Sequence, residues 1–521
     1  MSNATRRGST RLAEGRGAWR ALVTIRSTLV ASVLIAGGAA AFTRAHDDKR
    51  LACLATLERW STRAAREGSR SSQLDPLALS FDPSLEEVAH PDDLPCVVEA
   101  GRQLFESRFT KADGAGRPGA TGDSKPTIRL PENDPGFLRT SGMDANSCAG
   151  CHNQPAVGGS GDFVANVFVG AQFRDPPTRS LDVAETSERN TVSAFGAGAI
   201  ELLAREMTAA MWKTRDSALA VAMATSRDVR VPLETKGVLF GALTARPDGS
   251  YDGTEVQGVD VDLVVKPFGV KGVVISLREF TINALNHHHG MEATERFGWE
   301  RTGRRDFDLD GVRDEFSSGQ VTALTMFQAS LPAPVVETAP KKSKESVARG
   351  RRRFEQVGCA GCHRPSLPLD TAIFVEPNPY NRPGNLVPAD VPTALVRFAL
   401  AVGGRNSGVF RGSDGGVHVA AFTDLKRHRI CDAEDRHFCN EVLRQDNVPT
   451  DQFLTSKLWD AGTSAPYGHR GDCVTLEEAI QHHSGEARVS RRAFDRLLVS
   501  EKRDIIGFLR SLRASPASAA P

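Results

Sequence analysis

Two copies of Cys-x-x-Cys-His constrain this chain more than anything else in it: Cys148-Ala149-Gly150-Cys151-His152 and Cys359-Ala360-Gly361-Cys362-His363. Two thiols one helical turn apart, followed at once by an imidazole, make the attachment pattern of c-type haem. Each thiol can add to a vinyl group, and the histidine then sits beneath the iron. A zinc site would gather four ligands at close spacing, whereas these motifs stand far apart in the chain. A thioredoxin-like redox pair needs no histidine directly after it, and here one follows twice. The expected cofactors are therefore two covalently bound haems, on Cys148, Cys151 and His152 and on Cys359, Cys362 and His363.

That chemistry belongs outside the cytoplasm, and the N-terminus agrees. Six arginines between Arg6 and Arg26 precede the apolar run Leu29–Ala36, which fades into Gly37-Gly38-Ala39-Ala40-Ala41. A basic leader, a short apolar core and small residues describe a secretory signal peptide over 1–45. The apolar stretch spans about 16 residues, short for a membrane helix, which needs roughly 20. The alternative is an uncleaved N-terminal anchor, and the expected location in either case is the periplasm. With 65 basic and 64 acidic residues the net charge is +1, so a nucleic-acid partner is not expected. The expected partner is a redox protein or a small-molecule oxidant. Of the nine cysteines, five lie outside the motifs: Cys53, Cys96, Cys431, Cys439 and Cys473. Cys431 and Cys439 are close enough in a polar loop to pair in an oxidising compartment.

The chain reads as one pattern written twice, giving a mainly α fold of two cytochrome c-like domains in tandem. The first covers 46–333, opening with Gly101-Arg102-Gln103-Leu104-Phe105 and closing on the helical spacing of Val321–Pro332. The second covers 350–513, opening with Gly350-Arg351-Arg352-Arg353-Phe354 and closing on Asp504–Leu512. Proline and charge over 334–349 read as a linker, and 514–521 as a disordered tail. The first copy carries insertions, a loop from Asp113 to Asp134 and a small β element over 232–276. There Val259–Val265 alternates apolar and polar, and Pro247-Asp248-Gly249 marks a turn. The second has a long loop over Pro365–Asn385 and a hairpin or loop near Gly412–Phe422.

From Thr110 to Leu512 the chain resembles the di-haem oxidoreductase family, also called putative thiol oxidoreductases, which is related to di-haem cytochrome c peroxidases and MauG. The stretches that carry the likeness are Asp144–Asn153, Arg189-Asn190 with Phe195–Glu201, Leu277–Phe280 through Asn286–Met291, Leu458-Trp459 through Ala465–Asp472, and Leu476–Ile480. The resemblance implies an oxidoreductase with one electron-relaying haem and one that faces substrate or peroxide. One feature departs from the peroxidases: no histidine stands between His152 and His287, where those proteins place one for peroxide.

Further site residues follow. His287, His288, His289 and Met291 offer ligands, or a pocket lining, for the first haem; successive positions on a helix diverge, so only one or two of them can face the iron. Glu201 would serve as a proton-transfer group if that haem keeps an open face; otherwise it is a solvated helix carboxylate. Thr475-Leu476-Glu477-Glu478 reads as a capping box starting a helix that carries His482 and His483. The resemblance selects His483 as the second ligand of the second haem, because relatives place a methionine ligand seven positions beyond the leucine equivalent to Leu476. Asp306, Asp308 and Asp310 followed by Gly311 match the first half of a calcium loop, although Ser317 stands where an EF-hand has glutamate. The alternative to an enzyme is a non-catalytic di-haem electron carrier with both irons six-coordinate.

Overall fold

The computed structural model describes residues 53–60, 82–116, 145–178, 183–334, 341–391, 395–404 and 407–514. The segment expected to be a signal peptide, most of the Asp113–Asp134 loop, Asp144, residues 335–340 and nearly all of the expected tail lie outside them. Contacts divide the chain after Thr56, and the features below belong to the unit beginning at Leu57. Among the described residues no helix is long and apolar enough to cross a membrane.

Among the described residues the fold is mainly helical, with 12 helices and 38% helix, and small sheets lie in both halves. Two helix pairs dominate. In the first half α1 (Leu94–Glu106) packs on α5 (Ser318–Ser330). In the second, α6 (Lys341–Gln356) packs on α9 (Val499–Ser511). Both crossings are closed by a glycine. A Cβ on Gly101 would lie 2.0 Å from the Ala323 carbonyl oxygen and 2.8 Å from Phe327 Cβ. A Cβ on Gly350 would lie 1.9 Å from the Asp504 oxygen and 2.9 Å from Phe508 Cβ. Only hydrogen in place of a side chain permits so close an approach. One turn later a phenylalanine fills the gap: Phe105 meets Phe327 at 5.2 Å between ring centres, and Phe354 meets Phe508 at 5.5 Å. The Gly-x-x-x-Phe spacing thus builds the same crossing twice.

Between the members of the first pair run α2 (Cys148–Cys151), the 29-residue α3 (Ala197–Thr225) and α4 (Leu277–Ala284). Strands β1 (Val164–Val167) and β2 (Ser187–Asn190) pair antiparallel. Strands β3 (Val229–Thr235), β4 (Val238–Ala245) and β5 (Tyr251–Asp252) form a three-stranded antiparallel sheet, with Gly249 at φ +83° turning β4 into β5. The alternation over Val259–Val265 does not make a strand. Asp262 turns back to accept the Val264 N–H at 2.9 Å, and Leu263 takes φ +61°. Local side-chain bonding of this kind competes with a sheet ladder.

The second half holds more β structure than its sequence suggests. The expected loop after Pro365 contains β6 (Leu367–Leu369) and β7 (Ile373–Glu376). β7 pairs with β8 (Val396–Ala399), and β6 joins β9 (Val409–Arg411) and β10 (Val417–Val419). β11 (Arg427–Arg429) pairs with β12 (Gln452–Leu454). Two short helices follow, α7 (Leu476–Gln481) and α8 (Arg488–Asp495). The core here is Phe354, Phe422, Leu476, Phe494, Ile505, Phe508 and Leu512. Because α6 reaches back to Lys341, the lysine-rich stretch expected to be linker is helix.

Candidate functional site

Each Cys-x-x-Cys-His segment lies against its helix crossing. Phe105 stands 6.1 Å from the His152 ring and Phe354 stands 6.3 Å from the His363 ring, both tilted by 52°. His152 Nδ1 is 3.1 Å from the Gly159 carbonyl oxygen, and His363 Nδ1 is 3.1 Å from that of Phe422. A carbonyl can only accept, so each Nδ1 carries the proton and each Nε2 keeps its lone pair. Burial favours this neutral form, lowering each imidazole to about 4. It also pushes the Cys148 thiol up to about 12 and the Cys359 thiol to about 11. That is the reverse of a redox dithiol, whose nucleophile has a depressed pKa. No disulfide joins the four motif cysteines.

In the second half a further imidazole has the same arrangement. His483 Nδ1 donates to the Ala479 carbonyl at 2.7 Å, and burial lowers its pKa. His483 is close enough to His363 to depress that group electrostatically, after burial itself. His482 is engaged elsewhere: its Nδ1 lies 3.1 Å from Asp435, and its ring stacks on His437 at 3.7 Å. Thr475 does cap the helix, accepting the Glu478 N–H at 3.1 Å, but α7 stops at Gln481. His482 is its C-cap and His483 lies beyond, so a helical offset does not separate them. Their different backbone and carboxylate partners do. Phe438, beside the Cys431–Cys439 disulfide, presents an edge to His483 at 5.9 Å.

The first half is built differently. A π turn over Leu285–His289, closed by Gly290 at φ +65°, fans the three histidines apart. His287 stacks on Phe168 at 5.9 Å. His289 packs against Phe109 at 5.1 Å, its Nδ1 donates to the Ala145 carbonyl at 2.5 Å, and its Nε2 lies 3.5 Å from Cys148 Sγ. Burial lowers His289 to about 4. His288 is close enough to affect both His152 and His289, while Met291 is wholly buried. The cluster and the motif are therefore neighbours.

Glu201 is not the solvated helix carboxylate that is the alternative to a proton-transfer group. It is wholly buried, and its carboxylate accepts from Asn378 Nδ2 at 2.8 Å, Leu277 N at 2.8 Å and the Arg205 guanidinium. It belongs to a buried network in which Arg278 donates to Glu376 at 2.6 Å and pairs with Glu295. This network ties α3 and α4 of the first half to β7 of the second.

Sequence reading also missed three groups. Beside Cys362, His428 bonds Asp424 at 2.8 Å and Glu486 at 2.7 Å. Burial disfavours its charge, yet Asp424, Cys362 and Glu486 prevail and push it up to about 11. Between the halves, Arg189 grips Glu441 at 2.7 and 2.9 Å. Around the acidic loop, Asp306, Asp308 and Asp310 all accept nearby backbone N–H groups, and Asp308 is buried, as are Glu292 and Glu315. Those two glutamates fit no calcium-loop spacing, which is why the linear pattern hides them.

No protein-family profile matches the chain, and no curated protein does. Among solved structures it is similar to hydrazine synthase of Kuenenia stuttgartiensis, at 14% identity and TM-score 0.32, covering 85% of this chain and 96% of that one. It is also similar to a MauG-like protein associated with microbial copper homeostasis, at 15% identity and TM-score 0.26, covering 53% and 79%. Likenesses at this level leave the family unassigned, and the functional reading rests on the residues themselves.

Proposed function

We propose that this chain is an exported oxidoreductase carrying two c-type haems, one held by Cys148, Cys151 and His152 and the other by Cys359, Cys362 and His363. The observation that carries this reading is the repeated support of the motif histidine. In both halves it donates Nδ1–H to a backbone carbonyl, keeps the Nε2 lone pair, and lies against the phenylalanine of a glycine-closed crossing. Such a hydrogen bond fixes the tautomer and orientation that an iron ligand requires. The donor set fits the group: paired cysteines without a mutual disulfide, with a neutral imidazole directly after them. Bound haem would supply one-electron chemistry, while the chain sets access and potential.

The halves divide the work. His483 offers its lone pair beside His363, which supports a bis-histidine haem suited to relay. In the first half, His289 faces Cys148 from a π turn that also carries His288, with Met291 just beyond it, a geometry often found at functional sites. We assign the substrate- or oxidant-facing role to that side, with a redox protein or small oxidant as the exchange partner. A second reading, a pure electron carrier, is favoured by the locked Glu201 carboxylate, which leaves no positioned acid there. Absorption and spin-resonance spectra of the oxidised protein test the choice. One high-spin or cyanide-binding iron per chain supports the enzyme; two low-spin irons indifferent to cyanide would leave only the carrier.

A further inference from the structure

One cysteine serves neither a motif nor a disulfide. Cys53, Cys96, Cys431 and Cys439 are disulfide-bonded, which leaves Cys473 as the one thiol outside the motifs. It is wholly buried, and its Sγ lies 3.6 Å from His437 Nε2. The same nitrogen lies 3.4 Å from an Asp472 carboxylate oxygen, and the three ligand atoms fall within 4.8 Å of one another. This is not the line of a nucleophilic triad, where the imidazole turns one nitrogen to the thiol and the other to the carboxylate. Here both partners meet Nε2, which holds a single proton or a single lone pair. A thiol, an imidazole and a carboxylate gathered around one point are the donors of a coordinated cation. Each is braced by bonds that coordination would leave intact. His437 sits in the loop closed by the Cys431–Cys439 disulfide, and its backbone N–H donates to Asp435 at 2.9 Å. Cys473 exchanges two backbone hydrogen bonds with Tyr467, at 2.7 and 3.1 Å, just before Thr475 caps α7. Asn440 donates to the Asp472 carboxylate at 3.0 Å.

We infer that Cys473, His437 and Asp472 form a binding site for one zinc ion. Sulfur and imidazole nitrogen are too soft a pair for calcium or magnesium. The carboxylate is a harder ligand than copper(I) selects, whereas zinc takes all three donor types and imposes no geometry of its own. The His437 and Asp472 side chains are 27% and 28% exposed, which leaves the ion a path from solvent. On binding, the Cys473 thiol releases its proton to solvent and the thiolate bonds the metal; no electron moves. The place of the site gives it a purpose. It would tie the disulfide loop to the entrance of α7, and the His437 ring stacks at 3.7 Å on His482, the neighbour of His483. The ion thus steadies the segment that carries His483 without touching it. This goes beyond the haem reading and does not depend on it, because zinc and iron are counted separately.

The test uses the full-length protein, stripped with chelator and titrated with zinc alone, with calcium as a parallel probe. It should bind one zinc per chain with a Kd of about 1 μM or tighter, and calcium at about 1 mM should not displace it. X-ray absorption at the zinc edge should show one sulfur neighbour at about 2.3 Å. Cys473→Ser should erase that sulfur and weaken binding at least about a hundredfold. His437→Gln and Asp472→Asn should keep the sulfur and weaken binding at least about tenfold; being partly exposed, they decide the matter if the buried cysteine variant does not fold. His418→Ala, beside the exposed Asp414, should change nothing. Absence of binding at about 100 μM zinc would overturn the inference, as would wild-type affinity in His437→Gln. So would two sulfurs around the ion with indifference to all three site substitutions, the signature of zinc held in a Cys-x-x-Cys-His segment instead.

Discussion

The two Cys-x-x-Cys-His regions share a scaffold and differ in what faces it. Both rest on a glycine-closed crossing, with near-identical spacing from phenylalanine to histidine, 6.1 and 6.3 Å. Around Cys359 the surroundings are committed: one imidazole, His483, stands near His363, and its neighbour His482 is occupied by Asp435. Around Cys148 three histidines leave a π turn, with His288 close enough to affect His152 and His289 lying against Cys148. The lesson is that a repeated support can be kept while function diverges in the segment packed opposite. In the first half that segment is a π turn continuing directly from α4, a short helix capped by Ser276. In the second it follows within a few residues of a short capped helix.

The largest effect that would break this comparison is at His483. If the two proposed haems are bound, His483→Ala should convert one of their irons from low-spin to a form that binds exogenous ligands, while His482→Ala should leave the spectrum unchanged. Identical spectra for both variants would remove the asymmetry between the halves.

Next comes the shared scaffold. Gly350→Ala places a methyl group 1.9 Å from a backbone oxygen and should destabilise the protein by about 3 kcal/mol or more. On the same helix pair, a Cβ on Gly507 would meet nothing within 4 Å, so Gly507→Ala should be neutral or stabilising by up to about 1 kcal/mol. Equal denaturation midpoints for the two variants would mean that the crossing is not closed by Gly350.

A smaller effect should sharpen the contrast. Cys431→Ser with Cys439→Ser opens a short disulfide loop beside Phe438 and should cost about 2 kcal/mol. The spectral disturbance should be confined to the haem proposed at Cys359, since Phe438 lies 5.9 Å from the His483 ring; disturbance of the haem proposed at Cys148 instead would place the wrong residues in that pocket.

The smallest effect concerns the seam between halves. Burial raises Glu441, but His469 and Arg189 outweigh it and hold its carboxyl down at about 2. A depressed carboxyl stabilises above its ordinary pKa and loses that contribution as pH falls from about 4.5 towards 2. Glu441→Gln should cost about 1–2 kcal/mol at pH 7 and flatten the acid limb of stability measured by denaturant; an unchanged limb would exclude this seam as its source.

What was legible in the sequence was local. The motifs, the two Gly-x-x-x-Phe helices with their closing partners, the Pro247-Asp248-Gly249 turn and the Cys431–Cys439 pairing all depend on residues close together or spaced at a helical period. What was hidden depends on distant partners. Glu201 reads as a proton-transfer group or a solvated carboxylate, and nothing local reveals that Asn378 and the Leu277 N–H close over it. Val259–Val265 reads as a strand until Asp262 bonds its own backbone. The stretch from Lys341 reads as linker because a highly charged helix and a charged linker have the same composition.

The measurement that bears most directly on the central claim is the intact mass of denatured protein from a host able to attach haem in the periplasm. Wild type should carry two covalent haem additions, and Cys148→Ser with Cys151→Ser and Cys359→Ser with Cys362→Ser should carry one each. A wild-type chain with no addition, or a double variant that keeps both, would contradict the two-haem reading.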